Sequence, residues 1–514
     1  MATSTFAAID IGSYEVGMKI YELSKKIPFH VVNDIRYRLD LGSESYSVGK
    51  LSMGTVDKLC EILSDFSRMM KEFGVEAYRA CATSAFRELT NSMMVVEQIY
   101  VRTKIRVDIL SNAEQHFIGY KSIAAIEMGF KKIIQKGTAI LDVGGGSLQV
   151  SLFDKDSLVC TQSLKIGSIR IRERLKELEK TTIHYDELIA DFIRNDLDVF
   201  QRLYLKDRSI QNVILMGDFL TDTLFREQAE DNIITKAEFM NRYKDVVSKS
   251  EQELSREMGI DPEYASLLVP TLVVISRFIE IFDAESLWMP GVSIHDGIAY
   301  DYAEKNKILK SSHDFDNDIV VASRNIAKRY SSGKSHIQGT TQLALAIFDG
   351  MKKVHGMGAR EKLLLRIAVQ LHDCGKYISI GEVAECSYNI VMNTEIIGLS
   401  TEERHVIADV VRFNNTKFEF PQVFEAGLGV DRDRYLVIAK LAAILRLANA
   451  LDRSHYQKVK GLKAVLKDQE LQMVMESDQD LSLELALLAD KVKFFEDVFG
   501  ITLVIRRKKA LKEV

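Results

Sequence analysis

The sequence is poor in cysteine and has no large excess of charge of either sign. Its five cysteines form no CxxC pair, which argues against a disulfide framework and favours buried thiols in a reducing compartment. The 68 basic and 73 acidic residues give a formal net charge of −5. This balance argues against a strongly basic nucleic-acid-binding protein, although a local basic groove stays open. We therefore expect no nucleic-acid partner.

Long uninterrupted apolar runs are also absent. The most apolar window, LLVPTLVVISRFIEIF from Leu267, is broken by Pro270 and Arg277, so it predicts a core helix instead of a membrane span. The opening residues, MATSTFAAID, have neither a basic stretch nor a long apolar stretch, so we expect no signal peptide. These features together predict a cytoplasmic protein with no membrane partner.

The length and the hydrophobic pattern predict several domains. At 514 residues the chain is too long for one compact core, so we expect two to four domains. Strand-like and helix-like segments alternate up to about Asn306, which is typical of α/β layers. A helical pattern follows, and short strand-like runs return from about Lys458. The predicted domains are residues 1–130, 131–305, 306–457 and 458–514, with the polar stretch EKNKILKSSHDFDND as the linker.

One strand–turn–strand pattern occurs twice in the α/β part. AAIDIGSYEVGMKIY begins at Ala7 and AILDVGGGSLQVSLF begins at Ala139. In each copy an apolar strand carries an aspartate near its end, Asp10 or Asp142, and a turn of small residues follows. Two unrelated βα domains could share such a turn, or a duplicated domain could hold a ligand between its halves. The paired aspartates favour the duplicated domain.

Glycine-rich turns of this kind suit a phosphate group. The three glycines at 144–146 let backbone N–H groups approach an anion without a Cβ in the way. Gly12 and Ser13 provide a similar turn in the first copy. An aspartate does not bind phosphate directly, because like charges repel. Asp10 and Asp142 make sense if Mg²⁺ or its waters bridge them to the phosphate oxygens.

Further short motifs occur in a fixed order over nearly the whole chain. They are AIDIGS, ATSAFRE, SNAEQHFIGY, LDVGGGSLQVSLF, GIAYDYA, LHDCGK and LRLANALDRSH. In this set the chain resembles the Ppx/GppA family, the exopolyphosphatases and guanosine pentaphosphate phosphohydrolases of the actin-like ATPase superfamily. The resemblance implies an α/β protein with two actin-like (ASKHA) domains, followed by an all-α HD-like domain and a small α+β C-terminal module. It also implies Mg²⁺-dependent, stepwise release of orthophosphate from inorganic polyphosphate or pppGpp, and a homodimer.

The resemblance also implies roles for individual residues. Asp10 and Asp142 would position the metal ion. Arg87, in SAFRE, would pair with a phosphate oxygen through its planar fork of donors, and a surface salt bridge is the alternative for this residue. The implied phosphate-binding residues are Gly12, Ser13, Arg87, Gly144, Gly145, Gly146 and Ser147.

The chain departs from the family pattern at the residues that would activate water. The family usually reads SGxEEA and GGGSTE, whereas this chain reads SNAEQH and GGGSLQ, so Gln115 and Gln149 stand where carboxylates are expected. An amide keeps the size of a carboxylate but does not take up a proton, and losing a general base typically costs about 10²–10⁴ in rate. Glu114 is the available replacement for the base, and its alternative is a helix-capping acid. His295 stands where the family has an arginine.

Two functions therefore compete. The first is an exopolyphosphatase or pppGpp phosphohydrolase, slowed by the lost carboxylates, that uses Glu114 or a substrate oxygen as the base. The second is a sensor that binds phosphate polymers or nucleotides without turnover. The enzyme is favoured, because Arg87, both aspartates and both phosphate turns are intact.

The helical region matches its family pattern only in part. HD-type phosphohydrolases bind metal through a histidine, an adjacent His-Asp pair and a distal aspartate, and His336, His372 and Asp373 match the first three. The distal position is Asn449 here, and Asp452 lies three residues further on, on the same helical face. These residues are a candidate metal remnant with Asp452 as substitute, and a hydrogen-bonded pair in an inert domain is the favoured alternative.

Overall fold

The computed structural model describes residues 4–25, 29–206, 208–217, 219–225, 232–311, 313–418 and 431–508. The chain divides into two compact units, unit 1 (Met1–Asp314) and unit 2 (Phe315–Val514). This division falls inside the polar stretch that the sequence predicts as a linker.

The N-terminal part of unit 1 is a five-stranded mixed sheet with helices packed on it. Its order is β3-β2-β1-β4-β5, with β1 antiparallel to β2 and parallel to β4. The central strand β1 is apolar along most of its length because both of its faces are covered. The strands are β1 (Ser4–Ile11), β2 (Glu15–Leu23), β3 (His30–Arg38), β4 (Ala77–Ala82) and β5 (Val107–Ile109). The helices are α1 (Gly42–Ser47), α2 (Met53–Glu72), α3 (Ser84–Glu88), α4 (Ser92–Thr103), α5 (Asn112–Ala124) and α6 (Glu127–Ile133).

The second sheet of unit 1 repeats this arrangement around β6. Its order is β10-β11-β9-β6-β7-β8, with β6 antiparallel to β7 and parallel to β9. Its strands are β6 (Thr138–Val143), β7 (Leu148–Asp154), β8 (Ser157–Leu164), β9 (Asn212–Met216), β10 (Ile233–Thr235) and β11 (Ser286–Trp288). Its helices are α7 (Ser168–Glu179), α8 (Tyr185–Phe200), α9 (Phe219–Leu224), α10 (Lys236–Val247), α11 (Glu251–Met258), α12 (Pro262–Phe282) and α13 (Ile294–Lys305), with a π-helical turn at Gln201–Leu205.

Two helices of unit 1, α12 and α13, pack against several other elements. Among the described residues, α12 is the one helix long and apolar enough to cross a membrane, but 72% of its apolar window is buried inside the protein. It packs against α7, α8, α10 and α11, as expected of a core helix. The last helix, α13, packs against β1 and α5 of the first sheet. The predicted division at residues 131–305 groups α13 with the second sheet, whereas the chain has returned to the first.

Unit 2 consists of helices followed by a small sheet. In the sheet β12 is antiparallel to β13, and β13 is parallel to β14. The three strand-like runs that the sequence shows after Lys458 correspond to these three strands. The helices are α14 (Phe315–Arg329), α15 (Lys334–Gly350), α16 (Ala359–Leu371), α17 (Val383–Asn393), α18 (Thr401–Asn415) and α19 (Arg432–Ala450), with a 3-10 turn at Cys374–Tyr377. The C-terminal elements are β12 (Gly461–Lys467), β13 (Glu470–Glu476), α20 (Ser482–Ala486), α21 (Ala489–Phe499) and β14 (Thr502–Lys508).

Candidate active site

The two strand–turn–strand hairpins of unit 1 meet at one cavity of about 250 Å³. Each sheet delivers its aspartate to this cavity from the penultimate residue of its central strand, β1 or β6. The equivalent strand ends therefore face the same space, which is what a duplicated domain with a shared ligand requires. The lining contains eight residues that the sequence singles out: Asp10, Gly12, Ser13, Gln115, Asp142, Gly144, Gly145 and His295.

The glycines of the second turn allow the hairpins to approach closely. A Cβ on Gly145 would lie 2.9 Å from the Cβ of Ser13 and 2.7 Å from Cδ1 of Ile169, closer than packed carbon atoms sit. A Cβ on Gly146 would overlap the Tyr46 hydroxyl group. Two of the three glycines are thus required by contacts that they make outside their own turn.

The carbonyl groups of the second turn are all held by α7. The backbone N–H groups of Ser168 and Arg170 donate to the first two carbonyls of residues 144–146 at 3.1 and 3.0 Å, and the Arg170 Nε donates to the third at 2.8 Å. Because each peptide is planar and trans, the N–H groups of residues 145–147 point away from α7. Of these three residues, Gly145 lines the cavity, so its N–H group is the one placed to meet an anion there.

Ser147 closes this turn instead of lining the cavity. Its carbonyl accepts a hydrogen bond from the Gly144 N–H at 3.0 Å. Ser147 and Gly146 are both absent from the cavity lining, so the structure does not bring these two predicted phosphate-binding residues to the cavity.

The first turn is held by side-chain hydroxyl groups. The Ser13 Oγ lies 2.6 Å from the Tyr46 hydroxyl and 2.8 Å from the Ser84 Oγ, and these two partners are 2.9 Å apart. The Arg170 guanidinium stacks on the Tyr46 ring at 4.4 Å and its Nη2 donates to Glu88 at 2.5 Å. Arg170 therefore ties the second turn to α1 and α3 of the first sheet. Sequence reasoning missed Tyr46 and Arg170, since neither stands in a recognisable motif.

Arg87 directs its guanidinium at the start of α5. Its Nη1 donates to the Gln115 Oε1 at 2.9 Å and to the Leu110 carbonyl at 2.8 Å. These contacts differ from the alternative of a surface salt bridge. Since Gln115 lines the cavity, Arg87 fixes the orientation of the amide that stands where the resemblance implies a carboxylate.

Asp142 and Asp10 offer oxygen ligands that fit Mg²⁺. Burial raises the pKa of Asp142 to about 6, and the nearby Arg87 guanidinium opposes this rise. A carboxylate that is costly to ionise gains from a bound cation, which supplies the missing counter-charge. Both carboxyl groups reach the cavity, and hard oxygen donors are the ligands that Mg²⁺ prefers.

Gln149 is placed beside Asp142 but does not line the cavity. The two residues are direct partners across the β6–β7 ladder, so their side chains lie on the same face of the sheet. Gln149 is 1% exposed and neither atom of its amide has a hydrogen-bond partner. The structure therefore places Gln149 behind the cavity, beside Asp142 on the same face of the sheet, and its catalytic role stays a prediction.

The structure does not support Glu114 as the replacement base. The Ser111 N–H donates to the Glu114 Oε2 at 3.0 Å, and the Glu114 N–H donates to the Ser111 Oγ at 3.2 Å. This reciprocal capping box holds the carboxylate at the N-terminus of α5. Glu114 is also absent from the cavity lining, so the alternative that the sequence left open, a capping acid, describes its contacts.

His295 and Arg36 also line the cavity. Burial, with the cations Lys19 and Arg36 close by, lowers the pKa of His295 to about 4. The imidazole is thus neutral where the resemblance implies an arginine. Sequence reasoning missed Arg36. Its Nε and Nη2 donate to the Asp34 carboxylate at 3.1 and 3.2 Å, and its Nη1 lies 3.7 Å from the Glu15 carboxylate.

The four predicted remnant residues of unit 2 lie together. The His336 Nδ1 is 2.8 Å from the Asp452 carboxylate, and the His336 Nε2 is 3.3 Å from the His372 Nε2. Asp373 lies next to this pair, 3.6 Å from the His372 Nε2. Asn449, the matching distal position, contacts Asn414 at 3.4 Å.

Comparisons with known proteins agree with this architecture. The model of the Ppx/GppA phosphatase family matches residues 19–306, and the model of Ppx/GppA phosphatase, domain III, matches residues 321–493. A guanosine-5'-triphosphate,3'-diphosphate pyrophosphatase of Photobacterium profundum is 22% identical over 444 residues, 86% of each chain. One of Vibrio atlanticus is 21% identical over 449 residues, again 86% of each chain.

A solved structure supports the fold. The crystal structure of an exopolyphosphatase from Cytophaga hutchinsonii is 17% identical, covers 60% of this chain and all of its own, and has a TM-score of 0.52. The predicted fold class, with paired actin-like domains, is confirmed. The helical character of the region that follows is also as predicted, and its HD type stays a prediction.

Proposed function

Because the chain belongs to the Ppx/GppA phosphatase family, we propose that it releases orthophosphate from the end of inorganic polyphosphate or from pppGpp. One observation carries the proposal: both glycine turns and both aspartates converge on a single cavity. The names of the relatives from P. profundum and C. hutchinsonii, a pyrophosphatase and an exopolyphosphatase, support hydrolysis of phosphoric anhydrides.

The size of the cavity favours the phosphate end of the substrate. A volume of about 250 Å³ lies below the range of about 300–1,000 Å³ that encloses drug-sized ligands. The cavity therefore suits phosphoryl groups, and a guanosine would extend beyond it. The Gly145 N–H group and the Ser13 hydroxyl would hold the terminal phosphate oxygens, and Arg36 would pair with the next phosphoryl group.

Asp10 and Asp142 would hold the Mg²⁺ ion. When bound, Mg²⁺ neutralises charge on the phosphoryl oxygens as the bond to the leaving phosphate breaks. The two carboxylates would stay ionised in its presence, and Arg87 adds a fixed positive charge next to Asp142.

Gln115 makes turnover slow. Its Oε1 is already taken by Arg87, so the remaining amide N–H group can orient a water molecule without accepting its proton. The proton would pass to a substrate oxygen. Positioning and preorganised charge sustain residual catalysis when a general base is lost.

A sensor that binds without turnover is the second candidate. It is favoured by the two amides, Gln115 held by Arg87 and Gln149 facing Asp142. In a sensor of this kind the cavity between the two hairpins keeps its shape and charge, and the activation of water is lost altogether.

Phosphate release and binding, measured side by side, test the proposal. We expect Mg²⁺-dependent release from long-chain polyphosphate or pppGpp in the wild type, slow but above background, and none in Asp142→Asn. The matched control is Asp156→Asn, an exposed aspartate in the β7–β8 turn. Tight binding of either ligand with no release would establish the sensor instead, and no binding of either would contradict both functions. A homodimer is also expected, which light scattering in solution would detect.

A further inference from the structure

Unit 2 exposes a group of large apolar side chains that the proposed function does not use. Tyr377, Ile378 and Ile380 lie at the end of the 3-10 turn and just after it, and they are 63%, 62% and 85% exposed. Tyr456, which follows α19, is 75% exposed. Single apolar side chains are common on protein surfaces, but a contiguous group of them indicates a contact site.

The apolar side chains lie close together because three segments of unit 2 meet. The Tyr377 ring meets the Tyr330 ring, directly after α14, edge-on at a centroid distance of 5.8 Å. A carboxylate oxygen of Asp373, directly before the 3-10 turn, lies within 4.8 Å of a ring nitrogen of His455, the neighbour of Tyr456. The end of α14, the 3-10 turn and the segment after α19 therefore share one surface.

This surface, which we call the unit 2 tip, is also basic. It consists of residues 328–334, 376–382 and 453–456. These segments contain five basic residues and one acidic residue: Lys328, Arg329, Lys334, Lys376 and Arg453 against Glu382. All six side chains are exposed. Since the whole chain has a formal charge of −5, the excess of positive charge is local to the tip.

The turn that carries the isoleucines is held by its backbone. The Gly375 N–H donates to the Ser387 Oγ at 2.8 Å. The Gly375 carbonyl accepts from the N–H groups of Ile378 and Ser379 at 2.9 and 3.0 Å. The tip thus presents its apolar side chains on an ordered turn, so a contact there needs little further ordering of the backbone.

Apolar side chains with cations around them fit the surface of an anionic bilayer. Aliphatic side chains enter the boundary between headgroups and acyl chains, tyrosine rings favour the interface, and lysine and arginine attract anionic headgroups. A second copy of the chain fits less well, because a two-fold interface would bring the same basic residues against one another. A nucleic acid would pair with the cations and leave the isoleucines without an apolar partner.

We propose that the unit 2 tip docks on a bilayer surface that carries anionic phospholipids. Ile378 and Ile380 enter the boundary between headgroups and acyl chains, and the basic side chains pair with the lipid phosphates. The expectation of no membrane partner depends on the lack of a spanning segment, and a peripheral contact needs none. The inference is independent of the phosphate cavity in unit 1.

Tryptophan fluorescence tests whether the tip inserts. The one tryptophan of the chain, Trp288, is buried, so Ile380→Trp in the full-length protein adds an exposed indole group. Vesicles of phosphatidylglycerol mixed with phosphatidylcholine should shift its emission to shorter wavelength at low salt, and vesicles of phosphatidylcholine alone should not. Ile183→Trp, at an exposed isoleucine of unit 1, is the matched control and should show no shift.

Sedimentation with the same vesicles measures the affinity. The wild type should bind the vesicles that contain phosphatidylglycerol, and added salt should weaken binding. Ile380→Ser should weaken binding about tenfold or more, because an apolar side chain no longer leaves water. Replacing Lys328 and Lys334 by glutamine should also weaken binding. The same replacement of two exposed lysines of α2, Lys58 and Lys71, should not.

Several outcomes would overturn the proposal. Absence of binding to the phosphatidylglycerol vesicles, or binding that Ile380→Ser leaves unchanged, would mean that the tip is not a membrane contact. Self-association in light scattering that Ile380→Ser abolishes would assign the tip to a second copy. Binding of a DNA duplex that prevents sedimentation with vesicles, without any emission shift in Ile380→Trp, would assign the cations to a nucleic acid.

Discussion

The hairpins β1–β2 and β6–β7 of unit 1 pair their strands in the same register, but they differ in the residue that stands opposite the aspartate. Asp10 is paired with Gly17, whereas Asp142 is paired with Gln149. Over Gly17 sits the His295 imidazole, since a Cβ there would lie 2.7 Å from its Nε2. In the second hairpin the Gln149 amide itself fills the corresponding position.

The two turns also achieve their shape by different means. The first is fixed by side-chain hydroxyl groups around Ser13. The second is fixed through its backbone, with every glycine carbonyl of residues 144–146 bound by α7. The duplicated frame thus carries two chemically distinct half-sites: the first contributes hydroxyls and a neutral histidine, and the second contributes N–H donors and the buried Asp142.

The largest expected effect comes from restoring a base beside the second half-site. Gln115→Glu places a proton acceptor in the cavity next to Arg87, which keeps it ionised. Phosphate release should rise about 10²–10⁴-fold, measured with polyphosphate and with pppGpp. Gln135→Glu, the same change at an exposed position, is the control and should have no effect. An unchanged rate in Gln115→Glu would show that Gln115 does not occupy the position of the base.

Replacing the buried Asp142 carboxyl group by an amide should abolish phosphate release and raise the free energy of unfolding. Burial raises the pKa of Asp142 to about 6 in the folded state, against 3.8 for an ordinary aspartate, so the folded protein binds this proton more tightly than the unfolded chain. Stability from this group is present below about pH 4 and lost as the pH rises through 6. At pH 8 without Mg²⁺, Asp142→Asn should be up to about 3 kcal/mol more stable than the wild type.

Urea unfolding of both proteins at pH 4 and pH 8 measures this difference. The difference in unfolding free energy between Asp142→Asn and the wild type should be smaller at pH 4 than at pH 8. Added Mg²⁺ should reduce this difference at pH 8. Equal stabilities at pH 8, or a gain that Asp156→Asn reproduces, would mean that the Asp142 carboxyl is not held in an environment that opposes its charge.

Separating the two half-sites should weaken phosphate binding. Gly145→Ala brings a Cβ to 2.9 Å from the Ser13 Cβ and 2.7 Å from Ile169, and such overpacking costs about 1–3 kcal/mol. Calorimetry should show tripolyphosphate binding weakened at least tenfold. Gly54→Ala, the same change at an exposed position where a Cβ meets nothing within 4 Å, should bind as the wild type does. Equal effects of the two substitutions would mean that contact between the turns is not what matters.

The smallest effect is expected at Glu114. Glu114→Gln keeps part of the capping box, so the loss in unfolding free energy should be about 1 kcal/mol or less. Phosphate release should stay unchanged, because the side chain caps α5. A large fall in release, with stability intact, would restore Glu114 as the base.

Much of this arrangement follows from the sequence, because it depends on local patterns. The hairpins and the aspartates at their strand ends are readable from apolar runs and turn residues, whereas Gln115 is singled out only by the family resemblance. The contacts of Tyr46 and Arg170 are not readable, since they arise only when distant segments pack together. The return of α13 to the first sheet is hidden for the same reason. Even within one helix the sequence has limits, because it leaves open whether Glu114 caps α5 or acts as a catalytic base.

The central claim is that both half-sites bind one and the same phosphate-containing ligand. Calorimetric binding of tripolyphosphate with Mg²⁺ to the wild type, Asp10→Asn, Asp142→Asn and the double variant tests it directly. If one cation and one ligand bridge the two hairpins, each single variant loses most of the binding and the double variant is scarcely worse, because coupled sites are not additive. Binding that survives intact in either single variant, or losses that simply add, would contradict the claim.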